Sequence, residues 1–332
     1  MRSSMTRALW CVTMIACAPA ASLAQQQAAK DYPSKPIRLV VPYAPGGSMD
    51  FIGGLLAKKI GPSVGQNMFI DNRPGGGGSI GTAVAAKAAP DGYTILHTSS
   101  SHTTLAVLFK SLPYDPVTSF VPVTQLARAV GSVLTVHPSV PAQTVKEFVA
   151  LAKAHPGKLN YGTGGIGNIM HFKAEAFSML TGIKMTHVPY KGSGQAIIDF
   201  LAGRIDAAVI TASSVLSHIR AGRLRGLALT ATVRWSELPD LPTMPEAGVK
   251  DYKDHMFETW YGLWFPAGVP AGYVTRVRAE AVKAFEDPET KRALAGRGFV
   301  TVLSTPQEFH KKIVDGIEFD RILAKRIGLE PQ

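Results

Sequence analysis

Residues 37–61, IRLVVPYAPGGSMDFIGGLLAKKIG, place a strand, a glycine loop and a helix in immediate succession. The run Ile37–Val41 is short and mostly apolar, which predicts a buried strand. Residues 45–48 predict a loop, and the apolar spacing beyond them predicts a helix that ends at Gly61 and Pro62. A strand, a loop and a helix in this order form the repeating unit of an α/β fold.

Three further segments repeat this plan. They are MFIDNRPGGGGSIGTAVAAKAAPDGYTILHT (68–98), KLNYGTGGIGNIMHFKAEAFSMLTG (158–182) and MTHVPYKGSGQAIIDFLAGRIDAAVITASS (185–214). Strands that alternate with helices in this way predict a largely parallel sheet with helices packed on it.

Two long extended stretches, at 120–137 and 257–270, enclose the middle of the chain. A chain that crosses twice between two bodies forms one discontinuous domain and one inserted domain. We therefore predict a first domain over 31–128 plus 258–332 and a second domain over 129–257. The cleft between two such domains is where a ligand site is expected.

The first residues are typical of a secretory signal peptide over 1–24. Arg2 and Arg7 precede a short apolar core, and Ser22 and Ala24 are the small residues that a signal peptidase reads. The apolar run is well short of the roughly 20 residues that a membrane-spanning helix needs. We therefore expect export to the periplasm and cleavage near residue 25.

Cys11 and Cys17 are the only cysteines, and both lie in this leader. Lipoprotein anchoring at Cys17 is the weaker alternative, because Met14 is unusual before such a site. Cleavage leaves no thiol for a nucleophile, a metal site or a disulfide. It also removes Arg2 and Arg7, which leaves 33 basic against 24 acidic residues and changes the net charge from +11 to +9.

The basic residues are scattered and are not interleaved with aromatic residues. This pattern argues against a nucleic-acid groove. A basic exported protein suits small anions or anionic surfaces better.

Four loops share one construction, in which a strand runs into glycine, serine or threonine and then into a helix. They are PYAPGGSMD (42–50), NRPGGGGSIGT (72–82), YGTGGIGNIMH (161–171) and PYKGSG (189–194). Glycine lets the backbone approach a ligand closely, and the first turn of a helix has unpaired N–H groups that favour an anion. The loops therefore predict an anion site without a charged side chain, although any one of them is equally explained as an ordinary α/β turn.

The third loop also matches G-x-G-x-x-G, the pattern of dinucleotide-binding enzymes. Such a site expects an acidic residue about 20 positions later, at the end of the next strand. That strand ends MTHVPYKG and has no carboxylate. We therefore expect no nucleotide cofactor.

The histidines suggest two further alternatives. His97 and His102 lack the spacing of a metal site, so we expect no bound metal. A secreted hydrolase with His171 or His102 as its base is a rival function, but the sequence supplies no matching nucleophile motif. His171 lies one turn into the third helix, where it would orient the loop or face the cleft.

The motifs VPYAPGGSMD, DNRPGGGGSIGT, AAPDGYTIL, GTGGIGNIMH, VPYKGSGQAIIDFLAG and LPTMPEAG resemble, in order and spacing, the Bug or TctC family. These are the extracytoplasmic solute receptors of tripartite tricarboxylate transport systems. The resemblance covers the whole predicted mature chain. It implies a type 2 periplasmic binding protein fold, with two α/β domains joined by a two-strand hinge and the ligand cleft between them.

The resemblance also implies a non-enzymatic, monomeric receptor that closes on a small mono- or dicarboxylate, with or without an aromatic body. The receptor would deliver this ligand to the permease subunits of a tripartite tricarboxylate transporter. A sensor subunit that signals to a membrane kinase is the alternative. The predicted ligand-binding residues are Tyr43, Ala44, Pro45, Gly46, Gly47, Ser48, Ser99, Ser100, Thr163, Gly164, Gly165, Asn168, His171, Tyr190 and Thr211.

The sequence departs from the family pattern in three places. Gly53 and Gly54 replace an Ala-Arg pair, which costs about 1 kcal/mol per glycine in a helix. Asn168 replaces a serine or threonine of the third loop. Ile210 and Thr211 stand where many relatives have Asp-Asn, so a ligand with an ammonium group would lack a counter-charge.

Several other side chains lie near the predicted loops. Asp50 is expected to pin the first loop or complement its helix, and Lys191 to add a charge or lie in solvent. Tyr43, Tyr190, Trp260 and Trp264 are candidates for an aromatic wall of the cleft. Core or hinge packing is the alternative for these four residues, above all for Trp264.

Overall fold

The computed structural model describes residues 32–253 and 257–331. The predicted signal peptide at 1–24 lies outside these residues. The strands in chain order are β1 (Ile37–Val41), β2 (Met68–Asn72), β3 (Thr94–Ser99), β4 (Phe120–Ala129), β5 (Ser132–Val136), β6 (Asn160–Thr163), β7 (Thr186–Pro189), β8 (Ala207–Thr211), β9 (Arg225–Leu229), β10 (Trp260–Pro266) and β11 (Phe299–Thr301).

The α-helices connect these strands or follow them. In chain order they are α1 (Ser48–Val64), α2 (Ser79–Ala86), α3 (Ser101–Leu108), α4 (Val145–Ala154), α5 (Ile169–Thr181), α6 (Ser193–Leu201), α7 (Ala212–Arg220), α8 (Ala271–Glu286), α9 (Pro288–Ala295) and α10 (Pro306–Arg326).

The strands form two sheets. The first has the order β11-β4-β10-β3-β1-β2, and the second has the order β7-β6-β8-β5-β9. We call the elements on the first sheet (β1–β4, β10, β11, α1–α3 and α8–α10) the first lobe. The elements on the second sheet (β5–β9 and α4–α7) are the second lobe.

Both sheets are mixed, so the expectation of a largely parallel sheet is wrong. β1 pairs in parallel with β2 and β3, and β6 does so with β7 and β8. However, β10 lies antiparallel between β3 and β4, and β5 lies antiparallel between β8 and β9. The physical reason is that the chain crosses between the lobes. β5, which follows the first crossing, and β10, which follows the return, are antiparallel to the strands beside them.

The two crossings lie side by side. The chain leaves the first sheet after Ala129 and enters the second at Ser132, and it returns in the segment between Leu229 and Trp260. The Ala129 amide donates to the Thr259 carbonyl at 2.8 Å, and the Thr230 amide donates to the Ser132 carbonyl at 2.7 Å. The domain boundaries given above remain a prediction.

Helix α1 shows how the first unit folds. β1 and the buried helix residues Ile52 and Leu56 share one apolar core. The helix ends at Val64, before Gly65 with its left-handed φ of 67°, and not at Gly61 and Pro62 as predicted. The amides of Gly65 and Gln66 donate to the carbonyls of Pro62 and Gly61, so this left-handed turn closes the last carbonyls.

Within 32–253 and 257–331, no helix combines the length and apolar character that crossing a bilayer requires.

Candidate ligand-binding site

A small cavity of about 50 Å³ lies between the lobes, where several loops of the sequence pattern meet. A single water needs roughly 10–15 Å³ of such space, so the cavity holds a few waters or one small polar group. None of its lining residues is acidic or basic. They are Tyr43, Ala44, Gly47, Ser48, Met49, Ser99, Asn168, Ile169, Met170, Ser193, Thr211, Thr259 and Tyr261.

Three helices begin at this cavity without a capping side chain. α1 begins at Ser48 in the first lobe, and α6 and α7 begin at Ser193 and Ala212 in the second. The first turn of each helix carries N–H groups that have no partner within the helix, and a partial positive charge. An anion in the cavity therefore meets helix starts from both lobes. At α7 the first amide, that of Ala212, donates to the Gly131 carbonyl at 3.2 Å, so an anion there meets the amides that follow it.

The start of α5 offers less, because its Ile169 and Met170 amides are both used within the protein. The Asn168 side chain accepts from the Met170 amide at 2.9 Å and caps the helix. The Ile169 amide donates to the Ser101 hydroxyl at 3.0 Å. Asn168 therefore lines the cavity, but its side-chain oxygen already accepts a hydrogen bond from its own helix.

The lobes touch across the cleft, so this is a closed arrangement. The Ser48 hydroxyl lies 3.0 Å from that of Ser213, which places the start of α1 against the start of α7. The Thr104 hydroxyl donates to the Gly167 carbonyl at 2.7 Å. Two helix starts of like partial charge face each other here, which is unfavourable until an anion lies between them.

Two tyrosines bring hydroxyl groups to the cavity. The Tyr43 hydroxyl is buried and makes no hydrogen bond within the described part of the chain. Burial raises its pKa, and nearby side chains, of which Ser101 and Ser99 matter most, only partly oppose this. Burial likewise raises the pKa of Tyr261 to about 12. Both groups are thus neutral donors, and Tyr43 has a hydrogen to offer a ligand.

The structure brings about half of the predicted ligand-binding residues to the cavity. Those that line it are Tyr43, Ala44, Gly47, Ser48, Ser99, Asn168 and Thr211. Those that do not line it are Pro45, Gly46, Ser100, Thr163, Gly164, Gly165, His171 and Tyr190.

His171 supports the third loop from behind. Its ring stacks on that of His187 at 4.1 Å, and its Nδ1 accepts from the Gly167 amide at 3.4 Å. His187 Nε2 contacts the Thr163 hydroxyl at 2.6 Å, and that hydroxyl accepts from the Gly165 amide. Burial, with the neighbouring His187, lowers the pKa of His171 to about 3, so the pair is neutral and structural.

His102 and His97 are likewise core residues. His102 Nε2 lies 2.7 Å from the Pro116 carbonyl, and His97 Nδ1 lies 2.9 Å from the Gly262 carbonyl. Burial lowers the pKa of each to about 4. Neither ring lines the cavity. The two candidate bases of the rival hydrolase, His102 and His171, are therefore both absent from its lining.

Only one of the four aromatic candidates, Tyr43, lines the cavity. Tyr190 donates to Asp199 at 2.8 Å, and Trp264 is buried against Phe309. Trp260 lines a separate cavity of about 420 Å³ beside α10.

The cavity residues that the sequence reasoning missed include two on the returning chain, Thr259 and Tyr261. Side chains of an extended chain alternate between its faces, so these two lie on the face opposite to Trp260. This alternation in the stretch 257–270 was the sequence signal that could have identified Thr259 and Tyr261. Met49, Ile169, Met170 and Ser193 lie within three of the four predicted loops but were not among the predicted ligand-binding residues.

Asp50 pins the first loop, which was one of its two predicted roles. Its carboxylate accepts hydrogen bonds from the Gly46 amide and from the Asn72 side chain. The same Asn72 side chain also donates to the Tyr43 carbonyl at 2.9 Å. Lys191 is exposed, and its carbonyl accepts from the Ala44 amide at 3.2 Å. Its side chain does not line the cavity.

One buried cation lies directly behind the cavity. Lys173 of α5 is 1% exposed, and its Nζ donates to the Thr259 hydroxyl at 2.5 Å and to the Ser132 hydroxyl at 2.8 Å. Burial lowers its pKa to about 7, and the charge of Glu258 only partly opposes this. No sequence pattern identified Lys173, because its position in a helix is that of an ordinary surface lysine.

The chain matches known proteins over most of its length. The family model of the tripartite tricarboxylate transporter family receptor matches residues 54–329. BugT of Bordetella pertussis is 35% identical over 301 residues, which cover 90% of this chain and 91% of that protein.

Two solved structures are also similar. An R. palustris protein solved with adipate is 31% identical with a TM-score of 0.87, covering 91% of this chain and all of that one. MatC of Rhodopseudomonas palustris, solved with bound malate, is 25% identical with a TM-score of 0.84, covering 88% of this chain and 99% of that one.

These likenesses confirm the predicted fold, that of a type 2 periplasmic binding protein. They also confirm that the chain is a solute receptor and not an enzyme. On the extent of the family match and the identity to BugT, the chain belongs to the tripartite tricarboxylate transporter receptor family.

Proposed function

We propose that this receptor captures a small organic mono- or dicarboxylate in the periplasm and delivers it to the membrane subunits of a tripartite tricarboxylate transporter. The observation that carries the proposal is the convergence of uncapped helix starts from both lobes on one cavity. α1 supplies one start from the first lobe, and α6 and α7 supply two from the second. Adipate and malate in the two similar structures support this ligand class.

Domain closure is the proposed mechanism of capture. A carboxylate between α1 and α7 bonds to both lobes at once and removes the repulsion between their helix starts. Each helix start contributes roughly 0.3–1 kcal/mol and more when partly buried, and each hydrogen bond to a charged group roughly 1.5–3 kcal/mol. A micromolar dissociation constant needs about 8 kcal/mol, which several such contacts supply.

The lining residues favour an acid over an amine. They include no carboxylate that would pair with an ammonium group, and the family resemblance implies that Ile210 and Thr211 replace an Asp-Asn pair. The cavity of about 50 Å³ has room for one carboxylate group, so the remainder of a longer or aromatic acid requires the lobes to part further.

The test is a thermal-shift screen of the mature protein against organic acids, amino acids and sugars. A ligand present at 100 times its dissociation constant adds about 2.7 kcal/mol to the free energy of unfolding. We expect malate or adipate to raise the melting temperature by several degrees, and the corresponding diamides to leave it unchanged. A shift with sugars or free amino acids but not with organic acids would show that the proposed ligand class is wrong.

Transport is tested separately from binding. We expect the receptor with bound acid to stimulate uptake by the membrane subunits in vesicles. If the receptor binds the acid and copurifies with a sensor kinase instead, the permease assignment is wrong while the ligand class stands.

A further inference from the structure

Lys173 is a buried cation whose hydroxyl partners lie on both crossings between the lobes. Ser132 begins β5 on the outgoing crossing, and Thr259 precedes β10 on the returning one. Lys173 itself lies on α5, whose start lines the cavity. The ammonium group therefore touches both polypeptide connections that move when the lobes open and close.

No described carboxylate forms an ion pair with this ammonium. Glu258, the carboxylate whose charge acts on it, pairs with Lys312 of α10 at 2.9 Å. An isolated buried charge is expensive unless it is paired and hydrogen-bonded. Thr259 lies between Lys173 and the cavity, because its side chain contacts Nζ and also lines the cavity. The closed structure thus places a buried ammonium group, whose desolvation is unfavourable, next to a cavity with no charged lining residue.

We propose that Lys173 supplies the positive charge of the ligand site and that it acts on the bound carboxylate through the Thr259 hydroxyl. The Thr259 oxygen accepts from Nζ, so its own hydrogen is free to point at a carboxylate in the cavity. Lys173 is a positioning residue in this arrangement, because it does not touch the ligand. This inference rests on the proposed function.

The arrangement makes capture depend on pH. An anion beside Thr259 favours the charged form of Lys173, so binding raises the pKa of the lysine above its value of about 7 and takes up a proton. Affinity is then highest below about pH 7 and falls as the pH rises from the free pKa to the higher bound pKa. Each unit of difference between the two pKa values weakens binding about tenfold across that window.

Two other ionisable groups near the site, His171 and Tyr261, titrate outside this window. Burial lowers the pKa of His171, on the same helix, to about 3 and raises that of Tyr261 to about 12. Glu258 and Lys312 form the ion pair described above. Asp320 of α10, whose pKa burial raises to about 7, lines the separate cavity beside Trp260 and needs its own control.

The experiment measures the dissociation constants of malate and adipate by calorimetry from about pH 6 to about pH 9, across the window that linkage predicts. The variants are Lys173→Met and Thr259→Val. The controls are Lys184→Met, which removes an exposed lysine of the second lobe, and Asp320→Asn. We expect wild type, Lys184→Met and Asp320→Asn to bind about tenfold more weakly at the alkaline end. We expect Lys173→Met to bind weakly at every pH, and Thr259→Val to bind more weakly than wild type.

A second measurement needs no variant. Calorimetry of wild type near pH 7 in two buffers of different ionisation enthalpy reports the proton taken up with the ligand. We expect net uptake, and zero uptake would overturn the inference even if Lys173→Met fails to fold.

The possible failures are distinguishable. Wild type that binds neither acid would overturn the proposed function together with this inference. Wild type that binds them, with Lys173→Met showing the same affinity and pH profile, would overturn this inference alone.

Discussion

A methyl group added at Gly194 is predicted to block closure of the cleft while leaving each lobe intact. Gly194 is the second residue of α6, and a β-carbon built on it would lie 2.5 Å from the Pro45 carbonyl oxygen in the first lobe. Ordinary contacts of this kind begin at 3.4 Å. The lobes of Gly194→Ala must therefore stay about 1 Å further apart at this point.

The loss of ligand affinity follows from the fact that the added methyl group clashes in the closed state and not in the open state. Inserting a methyl group into a packed contact costs roughly 1–3 kcal/mol, and only the closed state meets it. Ligand affinity is therefore expected to weaken by about 5-fold to about 150-fold. In the open state alanine replaces glycine in a helix, which contributes about 0.5–1 kcal/mol of stability. The melting temperature of the unliganded variant should be unchanged or higher.

Calorimetry with malate or adipate, together with a melting curve, checks both halves of this prediction. Gly54→Ala is the matched control, because a β-carbon at Gly54 of α1 meets nothing within 4 Å. It should bind as wild type does. If Gly194→Ala retained the wild-type dissociation constant, close approach of α6 to Pro45 would not be part of ligand capture.

Three further substitutions test other features. Tyr43→Phe should bind carboxylate about 10-fold to about 150-fold more weakly without loss of thermal stability, because it removes a buried hydroxyl that lacks a partner in the described structure; unchanged affinity would contradict this role. Gly54→Ala should raise the free energy of unfolding by about 1 kcal/mol in urea titrations, and Gly53→Ala should raise it at least as much because its β-carbon makes ordinary contacts at 3.4 Å with Leu39 and Ile70; no gain for either would contradict this. Asp320 has a folded-state pKa raised to about 7 by burial, so its contribution is favourable at acid pH and is lost as the pH rises towards 7. Asp320→Asn should therefore melt above wild type at about pH 8 and near it at about pH 4, and equal melting temperatures at both would contradict the shift.

The local pattern of the sequence predicted the elements that position the site. β1 begins and ends where its apolar run does, and the glycine loops lead into helix starts as expected. This works because strand periodicity and helix-start chemistry are local properties. Local reasoning failed where a helix continues past residues that commonly end one. α1 includes Gly61 and Pro62, which were predicted to end it, and runs on to Val64.

The parts of the site that sequence reasoning missed depend on tertiary contacts. Lys173 is unexceptional in its helix and becomes significant only because Ser132 and Thr259 lie against it. Asn168 was predicted as a ligand contact and does line the cavity, but the sequence did not show that its side chain also accepts from the Met170 amide and caps α5. The neighbours of a side chain across two lobes are not encoded in its own segment.

The most direct test of capture by helix starts of both lobes is a crystal structure of the mature protein with malate. We predict a carboxylate oxygen at about 2.7–3.2 Å from amides at the start of α1 and at the start of α7, with the Tyr43 hydroxyl donating to the same ligand. A ligand bound to one lobe only, or seated in the cavity beside Trp260 and Asp320, would contradict it.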